Sequence, residues 1–119
     1  MKLTPESAEL ITVFDYIRLK HYDKFIWHCP NEGKRSKVGG ALLKRQGLMA
    51  GVSDICIAKQ ARGYGFAFIE LKAKQANGRY RVATMEQLEF LNRMKLNGYF
   101  ATIANGASEC IDVIDWYLK

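Results

Sequence analysis

The stretch Phe66-Ala67-Phe68-Ile69-Glu70-Leu71-Lys72-Ala73 reads as a β-strand whose two faces decide the fold. Side chains alternate faces along a strand with a period of two, so Phe66, Phe68, Glu70 and Lys72 share one side. Ala67, Ile69 and Leu71 share the other. An acid and an amine that follow two aromatics on one strand face are costly to desolvate unless paired, hydrated or metal-bound. The strand is therefore expected to leave the core at Glu70 and enter a cleft. Asp54, sixteen residues upstream of Glu70, opens another short apolar run that reads as the neighbouring strand.

Thr4 as N-cap and Pro5 as first helical residue predict a helix to about His21. Its core stripe is Leu10, Val13, Phe14 and Ile17. At about 100° per residue, Glu6 falls within roughly 30° of the centre of that stripe, and Glu9 lies near its edge. Glu6 has two readings: an acid complementing the helix dipole, or a ligand at the rim of the core. Phe25 to Cys29 reads as a short strand ending at Pro30. A Gly-rich basic connection follows, with a helical turn over Ala41 to Gln46 closed by Gly47. Strands over Asp54 to Ala58 and Phe66 to Ala73, joined through Arg62-Gly63-Tyr64-Gly65, suggest an antiparallel hairpin. Thr84 with Gln87 three residues on forms a capping box for a helix that runs to about Asn97, with Gly98 as its stop. Tyr99 to Ala104 is a further strand, and Ser108 to Leu118 a closing amphipathic helix. The element order is αβββαβα in one domain over residues 1–119.

Gln87 points along the apolar stripe of its helix, with Leu88, Phe90, Leu91 and Met94, so its carboxamide needs a partner. It can bond back to the backbone near Thr84, or face the cleft and hold a water, a phosphate oxygen or the Lys72 amine. The two roles are compatible.

Bulk properties narrow the class. A chain of 119 residues supports one core, and 49% hydrophobic with 25% charged residues is ordinary for a folded domain. No stretch approaches the roughly 20 apolar residues of a membrane helix. The start, MKLTPESAEL, lacks the apolar centre of a secretory signal. Cys29, Cys56 and Cys110 are odd in number, without a CxxC pair, and sit among apolar neighbours. These features point to a reducing, intracellular setting with buried packing thiols. His21 and His28 are read as structural or surface residues, and Trp27 and Trp116 as core or interface anchors. Eighteen Lys and Arg against twelve Asp and Glu give a charge of +6, which favours a polyanionic partner. The cations gather in Lys34, Arg35 and Lys37, then Lys44 and Arg45, then Arg79 and Arg81 beside a Gly-containing turn.

Taken in order, Glu6, Pro30-Asn31-Glu32-Gly33-Lys34-Arg35, Gly39-Gly40 with Leu43-Lys44, Gly47, Gly51-Val52-Ser53-Asp54, Ile69-Glu70-Leu71-Lys72, Gln87 and Gly98-Tyr99 resemble the virus-type replication-repair nuclease domain, VRR-NUC. That is a branch of the PD-(D/E)XK nuclease superfamily. Each piece is weak alone, and their order and spacing across nearly the whole chain are specific. One departure is Ser53, where the family usually has Pro before its metal-binding Asp. The resemblance implies an α/β, restriction-endonuclease-like mixed sheet flanked by helices. It implies that Asp54, Glu70 and the Leu71 carbonyl bind Mg²⁺ or Mn²⁺, with Glu6 contributing from the first helix. Lys72 would position the attacking water or steady phosphate charge, and Gln87 would support it.

The chemistry of phosphodiester cleavage suits this set. Hard divalent cations on carboxylates neutralise charge on the phosphate and the leaving oxygen, whereas no His and Cys cluster is spaced for zinc. One metal and two both remain compatible with the sequence. Lys72 beside two acids is expected to keep its proton, which favours an orienting role over proton abstraction. Asn31, Lys34, Arg35, Lys37 and Lys44 are expected to contact DNA phosphates without reading bases. No helix-turn-helix or zinc finger is present, so structure-selective cutting is the better expectation. Small stand-alone members of the family look like homodimers acting on branched DNA such as four-way junctions. The alternatives are a monomeric flap or end nuclease, a non-catalytic DNA-binding module that kept the fold, and a purely structural interaction protein.

Overall fold

The computed structural model describes residues 2–30 and 37–119, without the side chains of 37 and 38. Its elements are α1 (Pro5–Leu19), β1 (Ile26–His28), α2 (Lys37–Arg45), β2 (Ile55–Ile57), β3 (Ala67–Lys72), α3 (Met85–Leu96), β4 (Phe100–Asn105) and α4 (Gly106–Leu118). The four strands form one sheet in the order β1-β2-β3-β4. β1 and β2 are antiparallel, and β2 and β3 form the expected antiparallel pair, with Ile55 opposite Ile69 and Ile57 opposite Ala67. β3 and β4 run parallel, with Glu70 beside Ile103. A parallel neighbour requires a crossover, and α3 supplies it.

The order is αβαββαβα, which adds a helix to the expected one. The turn expected over Ala41 to Gln46 is a nine-residue helix, α2, that starts at Lys37. Gly39 and Gly40 each cost about 1 kcal/mol relative to Ala in a helix interior, so the segment reads as a connection. The helix end is well formed. Gly47 takes φ +103°, Leu48 N–H bonds to the Leu43 carbonyl at 2.9 Å, and Gly47 N–H bonds to the Lys44 carbonyl at 3.0 Å. This is a Schellman closure, which needs a residue tolerant of the left-handed region.

One face of the sheet carries the main core. Ile26, Ile55, Ile57, Ala67, Ile69 and Leu71 pack against Val13 and Ile17 of α1 and Cys110, Ile114 and Tyr117 of α4. Tyr117 is fully buried because its hydroxyl donates to the Lys59 carbonyl at 2.6 Å and its ring stacks on Phe100. Tyr16 ties α1 to α4 by donating to Asp115 at 2.6 Å, and that bond raises the Tyr16 pKa to about 12. The other face is aromatic. Phe68 lies 5.2 Å from Phe90 of α3 and 4.7 Å from Phe66, ring centre to ring centre. The alternation read from the sequence therefore sends Ala67, Ile69 and Leu71 to the α1–α4 side and Phe68, Glu70 and Lys72 to the α3 side.

α4 begins at Gly106 rather than near Ser108, directly after β4. The first amides of the helix find carboxylates at once: Ala107 N–H donates to Glu9 Oε2 at 2.5 Å, and Asn105 N–H to Glu109 Oε2 at 2.6 Å. Such N-terminal pairing satisfies amides that have no intrahelical partner. It also assigns Glu9 a role in the fold. Among the described residues, no helix is long and apolar enough to cross a membrane.

The segment before Asp54 is pressed onto the start of α3. A Cβ on Gly51 would stand 2.3 Å from the Glu86 carbonyl oxygen, and its φ is +84°. Gly51→Ala must therefore push the loop and α3 apart and take a strained backbone conformation. We expect a loss of roughly 2–4 kcal/mol of unfolding free energy. Denaturant unfolding of the variant beside the parent chain measures it, and a change below about 0.5 kcal/mol contradicts this packing.

Candidate active site

Asp54 sits where three strands meet. Its carbonyl accepts from Cys29 N–H and from His28 Nδ1, both at 2.8 Å, which ties it to the end of β1. Its carboxylate Oδ2 accepts from Leu71 N–H at 2.9 Å, which ties it to β3. Asp54 is 7% exposed, Glu70 1% and Lys72 7%, an unusual density of buried charge for so small a domain.

Glu70 and Lys72 lie side by side as the strand period requires, with Lys72 Nζ 3.3 Å from Glu70 Oε2. Gln87 joins them. Its Nε2 donates to Glu70 Oε2 at 3.1 Å, and its Oε1 accepts from Lys72 Nζ at 2.7 Å. The same Oε1 accepts from Thr84 N–H at 2.9 Å, and Gln87 N–H donates to Thr84 Oγ1 at 3.2 Å. The capping box and the cleft-facing role thus coexist in one side chain. Each polar atom of the carboxamide is engaged, which fixes its orientation through chemistry at both ends.

The electrostatics of Glu70 show what the cluster lacks. Burial, then the neighbouring Asp54 carboxylate, push the Glu70 pKa up to about 9, and Lys72 offsets only part of that. Glu70 Oε1 is buried and accepts no hydrogen bond from an amide, amine or hydroxyl among the described residues. Two adjacent carboxyls, one with an oxygen lacking a donor, hold a proton at neutral pH or take up a cation. Oxygen donors of this kind suit a hard divalent ion. Among the described residues no three His, Cys, Asp or Glu side chains stand together as a metal cage. Mg²⁺ uses one or two carboxylates and fills its remaining positions with water and phosphate oxygens, so a two-carboxylate site fits it.

Glu6 lies nearby. It lines a cavity of about 180 Å³ together with Thr4, Ser7, Leu10, His28, Pro30 and Asp54. Glu9 is not among these residues, since it serves α4. Lys44 is exposed in the last turn of α2. Asn31, Lys34 and Arg35 lie outside the described residues, as does the side chain of Lys37. Ser53, the departure from the family pattern, is fully buried. Burial also pushes the Cys56 and Cys110 thiols up to about 12, which suits packing and not nucleophilic chemistry.

No motif in the sequence marks His28 as a site residue. Pairing of β1 with β2 places it opposite Ile55, next to Asp54, and its ring both borders the cavity and holds the Asp54 carbonyl. The signal for it was strand register, which no local motif carries.

A mixed sheet flanked by helices, with paired carboxylates, Lys72 and Gln87 at one end of β3, defines a PD-(D/E)XK-type arrangement. The chain is similar to a solved structure described as a VRR_NUC domain protein. They are 27% identical, the match covers 99% of this chain and 90% of that one, and the TM-score is 0.76. The resemblance seen in the motifs therefore extends to the whole fold, and this homology implies a PD-(D/E)XK-type nuclease. No family model and no curated protein matches the chain.

The raised Glu70 pKa gives a prediction with a definite sign. Without metal, a carboxyl whose folded pKa lies above its unfolded value stabilises the fold fully below about pH 4. That contribution falls as pH rises through about 9. A cation must displace the proton, so Mn²⁺ affinity should rise by up to tenfold per unit from pH 6 to 8, with close to one proton released per ion bound. Calorimetry in buffers of different ionisation enthalpy reads this directly. Binding that is flat with pH and releases no proton contradicts the shared-proton site.

Proposed function

We propose that the chain is a Mg²⁺- or Mn²⁺-dependent endonuclease that hydrolyses phosphodiester bonds in branched DNA. The observation that carries this reading is the closed cluster of Asp54, Glu70, Lys72 and Gln87, three of them ionisable and buried. Replacing such groups with apolar ones is often neutral or stabilising for a fold, so their presence argues for chemistry. Asp54, Glu70 and the Leu71 carbonyl would hold the cation, with Glu6 across the cavity contributing directly or through water. When bound, the ion supplies charge neutralisation at the phosphate and lowers the pKa of a water. Lys72 stands next to that position and is oriented by Gln87, which suits it to hold a non-bridging phosphate oxygen or the attacking water. It is already a donor to Gln87, so an orienting role fits better than proton abstraction.

Structure-selective cutting fits the absence, among the described residues, of any helix placed as a base reader. A homodimer fits the outer surface of α3. Met85, Leu88 and Leu96 are 68%, 44% and 78% exposed, and they recur along one stripe of the helix. The stripe continues over β4, an edge strand of the sheet, at Thr102 and Ile103. A surface of this kind suits a two-fold partner that also covers the strand edge.

Cleavage of labelled four-way junction, flap and linear duplex, with Mg²⁺ or Mn²⁺, tests the reaction. Asp54→Ala and Lys72→Ala should each lower the rate by at least about 10²-fold while the chain stays folded. DNA binding without metal-dependent cutting, or undiminished cutting by both variants, would sink the nuclease reading. For assembly, Leu88→Asp with Leu96→Asp should convert a dimer to a monomer in sedimentation experiments. A wild-type monomer at micromolar concentration rules the dimer out.

A further inference from the structure

Directly beyond Lys72 the chain makes a second, smaller structure that the proposed active site does not use. Lys74 pairs with Tyr80 in an isolated antiparallel bridge. Around it, Gln75 N–H donates to the Arg79 carbonyl at 2.8 Å, Gly78 N–H to the Gln75 carbonyl at 3.0 Å, and Arg81 N–H to the Ala73 carbonyl at 3.2 Å. Arg79 N–H donates to Asn77 Oδ1 at 2.9 Å. Residues 73–81 therefore form a hydrogen-bonded hairpin continuous with β3. At its base, Tyr80 packs on the start of α4, where a Cβ on Gly106 would stand 3.1 Å from the Tyr80 hydroxyl.

The hairpin is positively charged throughout. No acid occurs between Glu70 and Glu86, while Lys74, Arg79 and Arg81 do, and all three are exposed. None makes an ion pair among the described residues; Lys74 lies only over the Tyr80 ring, 5.7 Å from its centre. Arg79 and Arg81 flank Tyr80, so strand alternation turns them away from the α4 surface that Tyr80 packs on. Lys74 is two residues past Lys72, about 7 Å of extended chain. Arginines held on a braced hairpin lose less freedom on binding than cations on an open loop.

We infer that the hairpin of residues 73–81 is a backbone clamp for duplex DNA, with Arg79 and Arg81 each holding a phosphate of the arm next to the scissile bond. It rests on the nuclease reading for its place beside the site, but it acts in binding. The ligand is the phosphodiester backbone of a double strand, bound without reading bases.

The test is fluorescence anisotropy of a labelled 20-base-pair duplex in EDTA, so that no strand is cut, from 50 to 200 mM salt. Arg79→Gln with Arg81→Gln should reduce the slope of log K against log salt by nearly 2, about 0.9 per phosphate contact. Its dissociation constant at 150 mM should rise roughly tenfold. Arg79→Lys with Arg81→Lys should keep most of the slope. Lys20→Ala with Lys24→Ala, which removes the same charge at the far end of α1, should change the slope by less than about 0.5. A hairpin variant indistinguishable from that control, or a wild-type chain without salt-dependent duplex binding, overturns the clamp. Slope loss in a chain that never cuts with Mg²⁺ or Mn²⁺ leaves the clamp standing and removes the nuclease reading. Cutting with an unchanged slope does the reverse.

Discussion

Two carboxyls share a site shielded from water, and much of the structure serves to make that tolerable. Asp54 and Glu70 cannot both ionise there without a counter-charge. Leu71 N–H takes one Asp54 oxygen, and Lys72 and Gln87 take one Glu70 oxygen. These supports come from β3 and α3, while β1 holds the Asp54 backbone. Remove the acids, and several long-range contacts lose their reason. The fold places two buried carboxyls side by side, an arrangement that a hard divalent cation would relieve.

The link between site and scaffold is tightest at Gln87. As the third residue of α3 it closes the capping box with Thr84, and the same carboxamide bridges Glu70 and Lys72. The start of α3 is in turn pressed by Gly51, three residues before Asp54. The loop that presents one acid and the helix that steadies the other are therefore in direct backbone contact. That contact fixes the spacing between the two halves of the cluster.

Much of this was legible in the sequence because it is local. The period-two alternation of residues 66–73 sorted both faces of β3, and the Thr84 to Gln87 spacing marked the helix start and its polar side chain. The angular positions on α1 put Glu6 near the stripe centre and Glu9 at its edge without deciding between them as ligands, and the structure puts Glu6 at the cavity and Glu9 at the N-terminus of α4. What escaped was non-local or locally contradictory. His28 reaches the site through the pairing of β1 with β2. α2 is longer than its local sequence suggests because two glycines mask a helix with a well-formed C-terminal closure. Glu9 in α4's cap depends on a contact across almost the whole chain, which no window of sequence contains.

The alternation on β3 has a consequence for how this domain tolerates change in length. Glu70 and Lys72 reach the cluster only because they stand an even number of residues from Phe68. Adding a single residue between Phe68 and Ile69 would turn Glu70 and Lys72 into the aliphatic face and bring Ile69 and Leu71 to the α3 side, so the site would be lost and the core disrupted in one step. The same event in the connection between β2 and β3, or at the Asn77-Gly78 tip, leaves that parity intact. The chain is thus elastic at its turns and indivisible along a few residues of one strand.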